Sequence, residues 1–310
     1  MLSRARVTDY YWALALHGYA SSTPVADDSG VYVFYGTTGV AAYDHSGKLK
    51  WEKSCGTRYD AYGSASSPIL YGDLLIVQAN AVAEKVIAFD KRTGREVWHV
   101  ATSGDKQYTP SIVRRDQGDE LIFYEKKGKF AAADPATGRL LWHCSSPEGY
   151  MNPIPLVHND IVYAAGGINQ MFAVRAGGRG DVNDSHVLWR IGSSISNVST
   201  VVFHDGYLYG SQNNQGVVTC IDIKTGKRAY NGRLQPSSGV MYASPILAAE
   251  RLYYVSREKG VYVVAAKPQF ELLAHNVIET DDSIFNGTPA VSDGRLYLRS
   301  DKCLYCIGEK

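Results

Sequence analysis

The sequence predicts an all-β fold, a β-propeller of seven four-stranded antiparallel blades, and three observations support this prediction. The chain of 310 residues contains 30 glycines and 22 tyrosines. Its short apolar runs alternate with turn residues, which is typical of strands joined by tight turns. The same sequence marks also return at an interval of about 44 residues, which indicates a repeat architecture.

A Ser/Thr-Pro step opens most of the repeats. The clear steps are Thr23-Pro24, Ser67-Pro68, Thr109-Pro110, Ser244-Pro245 and Thr288-Pro289, and Pro153/Pro155 and Ser199-Thr200 are weaker versions. An apolar run follows each step, and a second short β-rich run lies further along each repeat. Each repeat therefore has the pattern strand, turn, strand, turn, strand, turn, strand, which fits one propeller blade.

A second mark, A-x-D-x-x-T-G-x-x-x-W, closes the repeats. It is found, with variations, at 41–51, 87–98, 131–142 and 219–230. Asp90 and Thr93 can hydrogen-bond the backbone of a tight turn, and Gly94 can supply a positive φ. The mark therefore predicts a hairpin between the third and fourth strands of a blade.

The aromatic residue that ends each closing mark is predicted to lie on the outer strand and to bury its ring against the next blade. This blade-docking set is Trp12, Trp51, Trp98, Trp142, Trp189 and Tyr230. Small residues two positions before each Asp leave space for such a ring, namely Ala42, Ala88, Ala132 and Cys220. Because packing explains all these positions, we assign none of them to catalysis.

The marks place the blades at about 20–53, 64–99, 107–143, 150–190, 197–231, 241–274 and 285–308 of a single domain, residues 1–310. The seventh repeat ends without a fourth strand. Trp12 precedes Pro24 by an interval that resembles those between the other blade-closing Trp residues and the next Pro. We therefore predict that residues 8–16 supply the missing strand and so remove an open sheet edge. The alternative is an eight-bladed relative from which one blade is missing.

The recurrence of this closing mark resembles the PQQ-like (pyrroloquinoline-quinone-type) β-propeller repeat family, from about Ala20 to Ile307. That family includes quinoprotein dehydrogenases, the lipoprotein scaffold of outer-membrane barrel assembly and other bacterial envelope proteins. The resemblance implies the propeller fold and a periplasmic or cell-envelope location in a bacterium, although the N-terminus carries no convincing export signal. The shared residues are those that pack blades, so the resemblance does not specify a function.

Candidate ligand-binding residues lie in the loops just ahead of the opening marks. They are Tyr19, Tyr62, Tyr108, Tyr150, Asn152, Asn197, Tyr242, Phe285 and Asn286. A ring of Tyr and Asn at the channel mouth could stack on a sugar, an aromatic cofactor or a peptide, and its polar groups could fix the orientation. The alternative is that these aromatic residues fill the mouth and the gaps between blades.

The sequence offers little for catalysis or for a cofactor. The resemblance implies, for the dehydrogenases of the family, PQQ with a calcium ion, an aspartate base and usually a vicinal disulfide, but this chain has no adjacent cysteines. Asp181, Asn183 and Ser185 have the first spacings of a calcium loop, but the Gly and the Glu that complete such a loop are absent. We therefore predict no catalytic residue, no metal and no cofactor, and a surface loop around Asp181.

Net charge and hydropathy argue against a nucleic-acid partner and against a membrane-spanning helix. The net charge of +1 gives no sequence-wide attraction to nucleic acid, and no apolar run approaches the roughly eighteen residues of a membrane helix. We predict a monomeric, non-enzymatic binding or scaffold propeller that engages a protein or carbohydrate partner through the channel-mouth loops. The alternatives are a PQQ-dependent oxidoreductase and a glycan-binding or glycan-processing propeller.

Overall fold

The fold is all-β, a propeller with seven blades, as the sequence predicts. A computed structural model describes residues 22–58, 64–103, 109–126, 128–149, 152–167, 170–192, 195–196, 198–213 and 215–308. Within these ranges the helical residues are one 3-10 turn, Gly36–Thr38, and one short helix α1, Asn80–Ala83. The predicted closing strand 8–16 and Trp12 lie outside the described residues and stay a prediction.

The chain divides into two compact units, one of Met1–Val162 with Val174–Val187 and one of Tyr163–Ala173 with Leu188–Lys310. The first unit contains three blades. Blade 1 is β1 (Val25–Asp27), β2 (Gly30–Phe34), β3 (Val40–Tyr43) and β4 (Leu49–Lys53); blade 2 is β5 (Ile69–Tyr71), β6 (Leu74–Gln78), β7 (Lys85–Asp90) and β8 (Glu96–Ala101); blade 3 is β9 (Ser111–Val113), β10 (Glu120–Lys126), β11 (Lys129–Ala133) and β12 (Leu140–Ser145).

Blade 4 has residues in both units and is formed by β13 (Leu156–His158), β14 (Ile161–Gly166), β15 (Gln170–Arg175) and β17 (Val187–Gly192). The second unit contains the last three blades. Blade 5 is β18 (Val202–His204), β19 (Tyr207–Ser211), β20 (Val217–Asp222) and β21 (Arg228–Arg233); blade 6 is β22 (Ile246–Ala248), β23 (Arg251–Val255), β24 (Val261–Ala265) and β25 (Leu272–Asn276); blade 7 is β26 (Ala290–Ser292), β27 (Arg295–Arg299) and β28 (Leu304–Ile307).

The core of each unit lies between neighbouring blades. Tyr32 and Phe34 of blade 1 form one buried cluster with Leu75, Val77 and Phe89 of blade 2. Strands in the middle of a blade are apolar on both faces because both faces are covered, whereas β4 has a single buried residue, the tryptophan of the closing mark. This contrast explains why only the outer strands alternate clearly in sequence.

The closing mark forms the predicted turn. Oδ1 of Asp90 accepts hydrogen bonds from the backbone N–H groups of Arg92 and Thr93, at 3.1 and 2.9 Å, and from the Thr93 hydroxyl at 2.9 Å. Gly94 has φ +70° and donates its N–H to the Asp90 carbonyl. The hydrogen bonds from Thr93 lower the pKa of the Asp90 carboxyl, and the turn keeps it ionised.

The same glycine also receives the indole ring of the preceding blade. A Cβ atom on Gly94 would lie 2.6 Å from Cε3 of Trp51, and the indole Nε1 of Trp51 donates to the Lys91 carbonyl at 3.0 Å. Trp98 packs in the same way on Gly138, where a Cβ would lie 2.7 Å from Cε3 of the indole. Trp189 packs on Gly226, where a Cβ would lie 2.9 Å from Cδ2 of the indole. In these three turns the glycine therefore meets two demands, a positive φ and a close approach of a ring from the neighbouring blade.

The opening Ser/Thr-Pro marks connect blades through hydrogen bonds. In the first unit, the backbone N–H of Thr23 donates to Oγ of Ser67, and the N–H of Ser67 donates to Oγ1 of Thr109, each at 2.9 Å. In the second unit, Thr200 donates to Ser244 at 2.9 Å and Ser244 to Thr288 at 3.1 Å. The hydroxyl in each mark thus satisfies a backbone donor of the previous blade, which explains why Ser or Thr recurs there.

The segment between β15 and β17 departs from the repeat, and its structure differs from the predicted surface loop. Its residues Gly180–Asp181 form strand β16, which pairs in parallel with β12 of blade 3 and places Gly180 opposite Trp142. Val182 is buried beside it, although Gly180 and Asp181 are exposed. Local periodicity could not reveal this strand because its partner is nearly forty residues away along the chain, roughly the length of a blade.

A buried carboxylate fixes this insertion to blade 3. Glu120 accepts hydrogen bonds from Nε1 of Trp142 at 2.7 Å, from Nη1 of Arg115 at 3.0 Å, and from the Gly177 backbone N–H at 3.0 and 3.2 Å. The side chain of Glu120 is only 1% exposed. Four donor contacts compensate for burying the charge, so Glu120 has a structural role.

An ion pair between blades 1 and 2 gives a pH-dependent contribution to stability. Asp27 accepts hydrogen bonds from the N–H and hydroxyl of Ser29, and its Oδ2 lies 2.9 Å from Nζ of Lys91. Burial alone raises the pKa of Asp27, but the bonds from Ser29 and Lys91 outweigh it and lower the pKa to about 2. Because the folded-state pKa lies below the ordinary value, the contribution is complete above about pH 4 and lost as the pH falls toward 2.

We expect Asp27→Asn to lower the free energy of unfolding at pH 7. This difference from the wild type should disappear as the pH falls from about 4 to about 2. Urea denaturation of both proteins at a series of pH values measures the difference. The exposed neighbour Asp28 provides the control variant Asp28→Asn, which removes one charge without the Lys91 contact. A wild-type minus Asp27→Asn difference that stays constant down to pH 2 would contradict the assignment.

Candidate functional site

Only part of the predicted ligand-binding set falls within the described residues. Tyr19, Tyr62, Tyr108, Tyr150 and Asn197 lie outside them, so no contact of these residues is assigned. Asn152 is half-buried in the segment ahead of β13, in the first unit. Tyr242, Phe285 and Asn286 all belong to the second unit, in the loops ahead of blades 6 and 7.

These three residues of the second unit meet around an arginine that the sequence analysis did not select. Arg257 lies in the hairpin Ser256–Gly260, which joins β23 to β24 of blade 6. Its guanidinium carbon is 5.2 Å from the centroid of the Tyr242 ring, and its Nε donates to Oδ1 of Asn286 at 2.9 Å. A cation–π contact and a hydrogen bond therefore hold the guanidinium plane from two sides.

The backbone of the hairpin is tied to both loops. The N–H of Arg257 donates to the Val240 carbonyl at 2.9 Å, and the N–H of Phe285 donates to the Arg257 carbonyl at 2.9 Å. Oγ of the buried Ser256 donates to the Ser238 carbonyl at 2.5 Å and accepts from the N–H groups of Glu258 and Lys259. Arg257 is thus presented by a hairpin whose conformation is fixed before any ligand arrives.

The charge of Arg257 has no partner carboxylate among the residues that the structure describes. Other arginines are paired, for example Arg58 with Glu84 at 2.8 Å and Arg114 with Asp119 at 2.6 Å. For Arg257, no acidic oxygen of the described chain lies within ion-pair distance, and Nε alone has a hydrogen-bond acceptor. Its two Nη groups can therefore donate to an acceptor from outside the chain.

A small apolar cleft lies beside the hairpin. Its walls include Val255, Val261, Val277, Ile278, Phe285 and Leu298, and Glu258 and Asn276 add polar groups. Val277 is 55% exposed, which is high for an apolar residue in a cleft. The apolar walls can receive a small aliphatic group, and Glu258 at the wall disfavours an anion there.

A hydrogen-bonded carboxylate supports the floor of this site. Asp281 accepts from the N–H and hydroxyl of Ser283, from the Ser300 hydroxyl at 2.6 Å and from the Tyr305 hydroxyl at 2.6 Å. The hydrogen bonds from Ser283, and then those from Ser300 and Tyr305, hold the pKa of Asp281 well below its usual range. Tyr305 in turn stacks on Phe285, with ring centroids 6.3 Å apart. Asp281 is therefore ionised at neutral pH and a poor general base.

The described part of the chain contains no group of three His, Cys, Asp or Glu side chains arranged to hold a metal ion. The residues of the predicted calcium-like spacing bond to one another, since Oδ1 of Asp181 accepts from the N–H and Nδ2 of Asn183 at 2.9 Å. No helix among the described residues is long and apolar enough to cross a membrane.

Arg257 is absent from the predicted set because it lies in a hairpin within a blade and not in a loop ahead of an opening mark. The signal that could have found it is the run Ser256-Arg-Glu-Lys-Gly260, three charged residues between two apolar strands. The end of the second strand of a blade and the end of its fourth strand lie at the same edge of an antiparallel sheet. A search for charged hairpins at that edge would have placed Arg257 with Tyr242.

Comparison with known proteins agrees with this architecture. The model of a PQQ-like family, described as outer membrane protein assembly factor BamB, matches residues 9–232 and 118–270. The fold is similar to the crystal structure of BamB from Moraxella catarrhalis, with 17% identity, a TM-score of 0.68, and coverage of 88% of this chain and 79% of that one. It is also similar to the computationally designed Ika8 protein, with 13% identity, a TM-score of 0.65, and coverage of 89% and 79%. No curated protein matches the chain.

Proposed function

The chain belongs to the PQQ-like propeller family described as outer membrane protein assembly factor BamB, and from this premise we propose that it is a non-enzymatic scaffold that binds a protein partner. The binding surface is the Arg257 site, defined as Arg257, Tyr242, Asn286 and the adjoining apolar cleft. The family membership also supports a location in the bacterial cell envelope, where an assembly scaffold would act.

The single observation that carries the proposal is that the repeated residues pack the blades, whereas the loop residues at the edge of blade 6 do not. The repeated Trp, Gly, Asp and Ser/Thr positions are used in contacts between or within blades. The loops at the edge of blade 6 instead carry an arginine without a carboxylate partner in the described chain, next to an exposed apolar wall. A cation beside an apolar pocket is typical of a protein-binding surface, since Arg is enriched there.

The contacts of Tyr242 favour a protein over a carbohydrate ligand. A sugar stacks on an open aromatic face, but the guanidinium of Arg257 covers one face of the Tyr242 ring. An oxidoreductase needs a base with a suitable pKa, and Asp281, one of the two carboxylates that line the cleft, is occupied by four hydrogen bonds. Neither alternative has a comparable observation in its favour.

Site-specific photocrosslinking in the cells that produce the protein tests the proposal. We expect a photoreactive amino acid at the exposed position Val277 to give one discrete protein adduct. The same amino acid at Lys224, in the exposed turn between β20 and β21 at the other end of a blade, is the matched control and should not give that adduct. The adduct partner, identified by mass spectrometry, should bind the purified propeller.

Two results would contradict the proposal. One is the absence of any discrete adduct at Val277, or the same adduct at both positions. The other is uptake of PQQ by the purified protein in the presence of calcium, with a change in quinone absorbance, because this would favour the oxidoreductase.

A further inference from the structure

We propose that the Arg257 site recognises an acidic-aliphatic peptide, namely a short segment of the partner in which a carboxylate side chain neighbours an aliphatic one. This inference rests on the proposed scaffold function and specifies the chemistry of the partner. The carboxylate would bind the guanidinium of Arg257, and the aliphatic side chain would enter the cleft next to it.

The hydrogen bonds of Arg257 define how a carboxylate would approach. Nε is engaged by Asn286, and Tyr242 covers one face of the guanidinium plane. The outer edge, formed by Nη1 and Nη2, is left for a ligand. Two parallel N–H groups at this edge match the two oxygens of a carboxylate, which a single carbonyl oxygen cannot engage equally well.

The neighbouring carboxylates do not neutralise the positive charge of Arg257. Asp281 is saturated by hydrogen bonds from its own surroundings, and Asp282 pairs with Lys302 at 2.6 Å. Glu258, the next residue along the hairpin, faces the cleft and not an ion-pair position beside Arg257. Glu258 therefore repels a carboxylate from the cleft, which directs the ligand's anion to Arg257 and its apolar side chain to the cleft.

Phe285 links the two subsites. Its backbone N–H is bonded to the carbonyl of Arg257, while its side chain lines the cleft and stacks on Tyr305. Since Arg257 and Glu258 are consecutive residues, the guanidinium and the cleft wall belong to one short hairpin. A single peptide of a few residues can therefore reach both subsites, because an extended chain advances about 3.3 Å per residue.

The test is the binding of short blocked peptides to the complete purified chain, measured by titration calorimetry or NMR. The probe is the acetylated and amidated peptide Gly-Leu-Asp-Leu-Gly, and the comparison peptide replaces Asp by Asn. We expect the Asn peptide to bind about 10-fold or more weakly, because a charge-assisted pair is replaced by a neutral hydrogen bond. Replacement of both Leu by Ala should also weaken binding, by about 10-fold.

Variants of the protein assign the effect to the site. Arg257→Gln should remove the preference for Asp over Asn, because the amide cannot form the charge-assisted pair. The matched control is Arg233→Gln, which alters an exposed arginine of blade 5 whose Nη1 bonds the Gln215 carbonyl at 3.0 Å, and this variant should keep the preference. Thermal unfolding of both variants shows whether the fold is kept, and Arg257→Lys provides a second variant that retains the charge without the paired donors.

The inference is overturned if the Asp and Asn peptides bind wild-type protein equally, or if folded Arg257→Gln keeps the preference. These outcomes are distinct from failure of the proposed function. A discrete partner adduct at Val277 together with equal binding of both peptides would leave the scaffold role and overturn the peptide chemistry. Selective peptide binding without any adduct would support the peptide chemistry and count against the scaffold role.

Discussion

Replacing Glu120 with alanine is expected to lower the free energy of unfolding by about 3 to 5 kcal/mol. The substitution leaves the indole N–H of Trp142, the backbone N–H of Gly177 and the guanidinium of Arg115 without their shared acceptor in a buried place. Each buried donor that loses its partner costs its desolvation energy, and the guanidinium of Arg115 keeps only the longer contact of its Nε with Asp160, at 3.6 Å. We also expect the insertion that carries β16 to detach from blade 3.

Urea denaturation measures the loss, and protection of the Val182 amide from hydrogen exchange reports on the insertion, because that N–H bonds the His143 carbonyl. The control is Glu271→Ala, which removes an exposed carboxylate that pairs with Lys267. Such a surface pair contributes about 1 kcal/mol or less. If Glu120→Ala were no more destabilising than Glu271→Ala, the structural role of the buried carboxylate would be wrong.

Gly94→Ala is the second large effect, with an expected loss of about 2 to 5 kcal/mol. The left-handed φ of +70° at Gly94 costs an alanine about 1 to 2 kcal/mol. The new Cβ would also lie 2.6 Å from the Trp51 ring, and such overpacking costs about 1 to 3 kcal/mol. The two penalties arise at one atom because the turn and the inter-blade contact share this glycine.

Gly72→Ala separates the two penalties. Gly72 lies in the exposed turn between β5 and β6 of the same blade, has φ +56°, and has no described atom within 4 Å of the position of a Cβ. Its substitution therefore carries only the backbone penalty, about 1 to 2 kcal/mol. Denaturation of both variants gives the difference, and equal losses at Gly94 and Gly72 would mean that the Trp51 ring does not press on Gly94.

The repeated marks were sufficient to predict the blades because each mark combines a local turn with the alternation of a strand. Asp90, Thr93 and Gly94 act over a few residues, so their roles could be derived without knowledge of the partner blade. The contact between Trp51 and Gly94 could not be derived in this way. A positive φ already accounts for a glycine in such a turn, and the sequence shows no second reason for it.

Long-range contacts explain what the sequence analysis could not anticipate at the candidate site and elsewhere. Tyr242 and Asn286 were selected because they lie ahead of opening marks, but Arg257, which they hold, lies in a hairpin within blade 6. Glu120 resembles any charged residue at the start of a strand, and its partner Gly177 is 57 residues away. In each case the contacting residue comes from another blade or from another part of the same blade. The two residues are too far apart in the sequence for local patterns to reveal the contact.

The indole rings of Trp51, Trp98 and Trp189 dock on the turn glycines of the next blade. A double-mutant cycle of Trp51→Ala and Gly94→Ala, measured by urea denaturation, tests it most directly. We predict that Gly94→Ala costs about 2 to 5 kcal/mol in the wild type but only about 1 to 2 kcal/mol when Trp51 is already alanine, since the backbone penalty alone remains. Losses that add to within about 0.5 kcal/mol would contradict the docking of the ring on the glycine.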